Sequence, residues 1–173
     1  MIGLKRGTVK LSSDHIQWEK LFEIEKQLLT ATLGDTIDIE HVGSTAIPNV
    51  PAKPIIDIMI GFSEERQAKK IFKTLNKMGY GDRGEQEVPG RHLFVKGPED
   101  NRTHYLHVTK KNSGFWTEHI LFRNYLRQHK DARDEYGKLK KQLEKEYSDN
   151  REQYTKDKAD FIKKIITKAK KLL

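Results

Sequence analysis

The stretch His41-Val42-Gly43-Ser44-Thr45-Ala46-Ile47-Pro48-Asn49-Val50-Pro51-Ala52-Lys53-Pro54-Ile55-Ile56-Asp57-Ile58-Met59-Ile60 decides how this chain is read, because its polar residues stand where packing does not require them. It reads as strand, anion-binding turn, strand. Leading into it, Thr36 to Val42 alternates, with Ile37, Ile39 and His41 on one face and Asp38, Glu40 and Val42 on the other, as a half-buried strand does. Gly43 ends that strand. Having no Cβ, it lets backbone N–H groups and the hydroxyls of Ser44 and Thr45 approach an anion, for which phosphate is the obvious guest. Beyond Pro48, Pro51 and Pro54 a second strand places Ile56, Ile58 and Ile60 on one face and Asp57 and Met59 on the other. A carboxylate buried ionised and unpaired among isoleucines is strongly unfavourable, so Asp57 must meet a cation, a metal or water.

Each feature taken alone has a structural explanation. Ser44 or Thr45 can cap a helix, and Asp57 can pair with Lys53 or with an arginine from elsewhere. Their succession points to function instead. A turn after one strand and an acid on the next let phosphate donors and a Mg²⁺ ligand share one rim.

At these residues the chain resembles the GrpB family, whose members carry a His-(Val/Ile)-Gly-Ser-Thr motif, then Ala-Lys-Pro and an Ile-Asp-Ile strand. The resemblance extends downstream through Arg102-Thr103-His104-Tyr105-Leu106-His107-Val108 and Leu121-Phe122-Arg123-Asn124-Tyr125-Leu126-Arg127, and covers nearly the whole chain. That family is in turn similar to the polymerase-beta-type nucleotidyltransferases, in which a Gly-Ser pair binds the triphosphate and an Asp-x-Asp/Glu strand binds two Mg²⁺ ions. Two positions depart from the pattern. Met59 stands where the second acid belongs, and a thioether is a poor ligand for a hard cation. Asn124 stands where the family often has Asp.

A chain of 173 residues with 35% hydrophobic content buries one ordinary core, so a single domain over residues 1–173 is expected. With no cysteine, disulfides, zinc-thiolate sites and thiol nucleophiles are excluded. Met1 to Arg6 lacks the apolar core of a secretory signal and no apolar run reaches the length of a membrane span, so a cytoplasmic protein is expected. The net charge is +8, and Lys138 to Leu173 supplies +6 of it, with twelve Lys or Arg against six Asp or Glu. Interspersion with acids on helical sequence favours a solvated helix face over a nucleic-acid footprint.

Ser12-Ser13-Asp14 offers caps for a helix with Trp18, Leu21, Phe22, Leu28 and Leu29 inward, which Gly34 stops. Ser63 opens a second, with Ala68, Ile71, Phe72, Leu75 and Met78 inward. Tyr80 to Gly90 has the composition of a mobile loop beside a site or of an ordinary connection. Arg91 to Lys96 and Thr103 to Lys110 read as strands joined by a turn-rich segment. Alternation sends His104 to the apolar side as a core imidazole and His107 to the other face. There its strand can lie beside Asp57, where the resemblance implies a third acid. From Gly114 onward the chain is helical. Arg123 and Arg127 fall on one exposed line, either clamping a phosphate or solvated, and Tyr154, Phe161, Ile162, Ile165 and Ala169 mark a final long helix.

The expected fold is α+β, a small mixed β-sheet of about four or five strands with flanking helices. The leading functional expectation is a Mg²⁺-dependent, nucleotidyltransferase-like enzyme acting on a nucleoside triphosphate and an unidentified acceptor. Gly43, Ser44 and Thr45 hold phosphates, while Lys53, Arg91 and Arg102 neutralise charge. Asp57 ligates the metal, with Glu40 a second acid if it lies on the same side, and His107 joins Asp57 in catalysis. The alternative is a nucleotide- or phosphometabolite-binding protein whose metal site is degenerate at Met59. A third reading is RNA binding by the basic C-terminal helices.

Overall fold

In the computed structural model, which describes residues 2–173, the two strands of the opening motif are neighbours in one five-stranded mixed sheet. Its strands are β1 (Asp38–Val42), β2 (Ile56–Phe62), β3 (Gly81–Asp82), β4 (Arg91–Lys96) and β5 (His104–Lys110), in the order β1-β2-β5-β4-β3. The central β2–β5 pair is parallel and the other pairs are antiparallel. Helices α1 (His15–Leu33), α2 (Glu65–Lys77), α3 (Gly114–Gln128), α4 (Lys130–Glu146), α5 (Arg151–Asp157) and α6 (Ala159–Lys170) surround it. The α+β class and the small mixed sheet are as expected.

Register assigns every strand residue to a face. Ile39 pairs with Ile60, the buried His41 with Ile58 and Phe94 with Leu106, and the apolar side chains among them form the core with Trp18, Phe22 and Leu29 of α1 and Ile71 and Leu75 of α2. Full burial of each such side chain stabilises the fold by about 1.5–3 kcal/mol. The opposite face carries Val42, Asp57, Met59, Tyr105 and His107, and only part of it is covered by α3, through Trp116 against Val42 and Met59. Trp116 packs so closely on β2 that a Cβ on Gly61 would come within 2.5 Å of its ring. The uncovered remainder of that face is where a site can form.

Several expectations are corrected. Leu28 is exposed, and the inward stripe of α1 runs instead through Trp18, Phe22, Glu25, Leu29 and Leu33. The acid on that stripe is neutralised, since Lys96 donates to both oxygens of Glu25 at 2.9 and 2.7 Å and Tyr80 donates a third hydrogen bond. Of the two alternatives for segment 80–90, the ordinary connection holds: it contributes the short β3 and lies at the outer β4–β3 edge, away from Asp57. Arg123 is buried rather than solvated and donates to Glu40 (2.6 Å) and to the His41 carbonyl (2.8 Å), whereas Arg127 is exposed as expected and donates to the Ala46 carbonyl (2.8 Å). The final long helix is two, α5 and α6, broken at Lys158. No described helix is long and apolar enough to cross a membrane.

Candidate functional site

The turn between β1 and β2 is held from behind, which frees its front. Gly43 has φ 70°, a conformation glycine adopts at no steric cost. A Cβ there would meet Asp57 Oδ2 at 2.6 Å, so only glycine lets the turn close onto the acid. Residues Ser44–Ala46 form one 3-10 turn. The Thr45 hydroxyl is within 3.0 Å of His41 Nε2, and the His41 ring stacks on Phe22 at 4.5 Å. Burial, reinforced by Arg127 and Arg123 and only partly countered by Asp57, pushes the His41 pKa down to about 3, so the imidazole is a neutral strut. Thr45 is therefore an anchor of the turn. Ser44 faces forward, 3.4 Å from the Tyr136 hydroxyl.

Asp57 and His107 meet. His107 Nε2 lies 3.2 Å from Asp57 Oδ1, and a carboxylate that can only accept sets the proton on that nitrogen. Nδ1 of the same ring is buried without a hydrogen-bond partner. Burial opposes ionisation of Asp57, but the His107 hydrogen bond and the charges of His107, Lys53 and Arg151 outweigh it and hold the carboxyl below its usual range.

In front of this pair lies a cavity of about 460 Å³, walled on one side by Gly43, Ser44, Lys53 and Asp57 and roofed by α4, α5 and α6. The roof supplies Lys140, Arg151 and Lys158, with Lys163 at the exposed rim. Lys140 is 2% exposed. Its Nζ lies 5.2 Å from the Tyr136 ring centroid, while Lys53 and Lys158 lie 5.5 and 4.7 Å from that of Tyr154. Arg151 covers Tyr105 at 5.1 Å and donates to its hydroxyl at 2.8 Å. None of the ion pairs among the described residues involves these four cations. Burial, and then the neighbouring cations, push Lys53 and Lys140 well below the usual lysine range, and burial, opposed by Asp57 and reinforced by Arg151, pushes Lys158 down to about 8. Cations gathered in one hollow, influenced by Asp57 but directly ion-paired to no carboxylate, are suited to a polyanion.

Of the residues expected from sequence, the structure brings Gly43, Ser44, Thr45, Lys53, Asp57 and His107 to one place, five of them lining the cavity and His107 behind Asp57. It does not bring Arg91 or Arg102. Arg91 is buried over the Phe115 ring at 5.9 Å, near the outer edge of the sheet, and Arg102 donates to the Gly97 carbonyl in the β4–β5 hairpin. Glu40 does share the Asp57 face, opposite Met59, but is taken by Arg123. With Glu40 engaged, a thioether at Met59 and no group of three His, Asp or Glu converging among the described residues, the donors do not fit a two-ion carboxylate site. The roof cations were missed from sequence, although a signal existed. Lys140 falls four residues after Tyr136 and three before Leu143, on the core stripe of its helix, and Arg151 and Lys158 flank Tyr154 in the same way.

The sequence profile of the GrpB protein family matches residues 8–168. The chain is 36% identical over 171 residues to the glutamate-rich protein GrpB of Alkalihalophilus pseudofirmus, covering 96% of this chain and 98% of that one. Its structure is similar to the crystal structure of the conserved protein GrpB from Enterococcus faecalis, with a TM-score of 0.81 at 36% identity over 92% of this chain and 95% of that one. It is also similar to the Cid1 poly(U) polymerase bound to MgATP, with a TM-score of 0.53 at 11% identity over 79% of this chain and 44% of that one. At that identity the likeness is one of fold alone, which is nucleotidyltransferase-like.

Proposed function

The chain belongs to the GrpB family, and from that premise and the charge of its cavity we propose that it binds a nucleoside triphosphate or a comparably phosphorylated small molecule. The observation that carries this reading is the convergence of Lys53, Lys140, Lys158 and Arg151 on one cavity with no carboxylate paired to any of them. The Gly43–Ser44 turn presents its backbone and hydroxyl to the same space, and on the same fold Cid1 holds a magnesium nucleotide. Apolar walls from Phe122, Ile162 and Ile166 offer a surface for a base or another flat organic group. Asp57 and His107 orient one another at the floor. Calorimetric titration with ATP, GTP, CTP and UTP, with and without Mg²⁺, tests the proposal. Absence of heat in all eight titrations overturns it.

A second reading is nucleotidyl transfer itself, by a transferase using Mg²⁺. It is favoured by the closeness of Asp57 to the Gly43 turn, where a Cβ on Gly43 would lie 2.6 Å from Asp57 Oδ2. Its test is release of pyrophosphate from a nucleoside triphosphate in Mg²⁺ or Mn²⁺ across a panel of hydroxyl acceptors. Binding without pyrophosphate release across that panel leaves the first reading alone.

A further inference from the structure

We infer that the cavity takes its phosphate ligand free of divalent metal, with the ammonium groups of Lys53, Lys140 and Lys158 and the Arg151 guanidinium standing where Mg²⁺ ions would. The inference rests on the phosphate-binding reading above and specifies the ionic form of the ligand.

Two carboxylates line the cavity, and both are engaged. Asp57 accepts from His107 at 3.2 Å, and Glu118 from Lys170 at 2.8 Å. The other acids on the Asp57 face beside β2, Glu40 and Asp38, are bound to Arg123 at 2.6 Å and to Lys111 at 2.9 Å. A hard divalent ion therefore finds no open cluster of oxygen ligands, and meets the repulsion of four cations on the way in. The basic side chains, by contrast, are left for a ligand: burial pushes the lysines' pKa values down, and an anion entering the cavity favours their protonated forms. Lys53, Lys140, Lys158 and Arg151 sit against the faces of Tyr154, Tyr136, Tyr154 and Tyr105, and a ring quadrupole attracts a cation without neutralising it as a carboxylate would. Lys140, almost fully buried, has no bulk water to replace the missing partner.

Charge complementarity then selects the form of the ligand. A terminal phosphate carries about −1.5 to −2 charges at neutral pH, and a divalent ion bound to it cancels two of them. A bare polyphosphate chain matches four unpaired cations better than its Mg²⁺ complex does. The roof helices α4 to α6 thus do with fixed ammonium groups what the Asp57–Met59 strand, lacking its second acid, is not equipped to do with metal.

The test is calorimetric titration of the full chain with ATP and, separately, inorganic tripolyphosphate, at matched ionic strength, once in EDTA and once in excess Mg²⁺. Both compounds are expected to bind in EDTA and to bind about tenfold or more weakly in excess Mg²⁺. Binding that appears only when Mg²⁺ is added overturns the inference and leaves phosphate binding standing. No binding of either compound in either buffer overturns phosphate binding itself, and the inference with it. Lys140→Gln, and Lys53→Gln should the first variant not fold, are expected to weaken binding in EDTA and to shrink the difference between the two buffers. A variant that folds and leaves that ratio unchanged overturns the assignment of the lysines as the stand-ins for metal.

Discussion

Lys140→Met should make the protein more stable while abolishing the phosphate binding proposed for its cavity. Lys140 is 2% exposed and has a ring beneath it, 5.2 Å from Nζ, rather than a carboxylate. A buried ion without a partner costs several kcal/mol after relaxation, a desolvated cation–π contact returns about 2 kcal/mol, and roughly 1–3 kcal/mol of net penalty is left at neutral pH. Methionine fills the same slot with an unbranched chain of similar volume and no charge, so no void opens. The variant is therefore expected to gain about 1–3 kcal/mol, which for a domain of this size raises Tm by roughly 2–10 °C. Thermal melts at pH 7 followed by calorimetry or fluorescence read the gain, and titration with ATP reads the loss of binding. The pH dependence separates charge from packing. Because the folded pKa of Lys140 lies below its unfolded value of about 10.4, its penalty is fully present below the folded pKa and fades as pH rises from there to the unfolded value. The gap between variant and wild type should thus narrow from pH 7 to pH 10. A fall in Tm of several degrees at pH 7, or a gain that does not narrow at high pH, would refute the reasoning.

Gly43→Ala places a methyl 2.6 Å from Asp57 Oδ2 at a residue with φ 70°, so a loss of about 1–3 kcal/mol in melts and weaker ATP binding are expected. Lys96→Met strands Glu25, which is 3% exposed, and with the Tyr80 hydrogen bond retained the cost should be roughly 2–4 kcal/mol. Urea unfolding checks this, and Glu25→Gln added to Lys96→Met should recover part of the loss. His41 titrates at about 3 folded against about 6.5 unfolded, so it contributes nothing unfavourable above about 6.5 and removes stability as pH falls from there toward 3. Between pH 6.5 and 4.5 that loss amounts to about 2–3 kcal/mol, and His41→Gln, measured by urea unfolding at both pH values, should lose correspondingly less over the same interval.

Much of the fold and half of the site are written in local pattern. Alternation in residues 36–42 and 56–60 assigns faces, and the structure keeps those faces: Ile56, Ile58 and Ile60 in the core, Asp57 and Met59 opposite. Alternation also separates His104 from His107, and the glycine-hydroxyl turn is visible as a departure from what packing needs. Local pattern does not say which strands are neighbours or which distant helix covers an exposed face. The Asp57–His107 contact exists because β5 lies parallel beside β2, fifty residues away, a pairing that only the resemblance to a family implied. Arg123 and Arg127 have the spacing of a phosphate clamp, yet they serve β1 and its turn, because α3 happens to lay that line against backbone carbonyls. The reverse holds for Lys140, Arg151 and Lys158. Their interspersion with acids reads as a solvated face, and it is the folding of α4 to α6 over the Gly43–Asp57 rim that removes their water and gathers scattered basic residues into one cavity. Charge is a property of the residue, but its desolvation and its neighbours are set by tertiary packing, and those decide whether a lysine is surface or site.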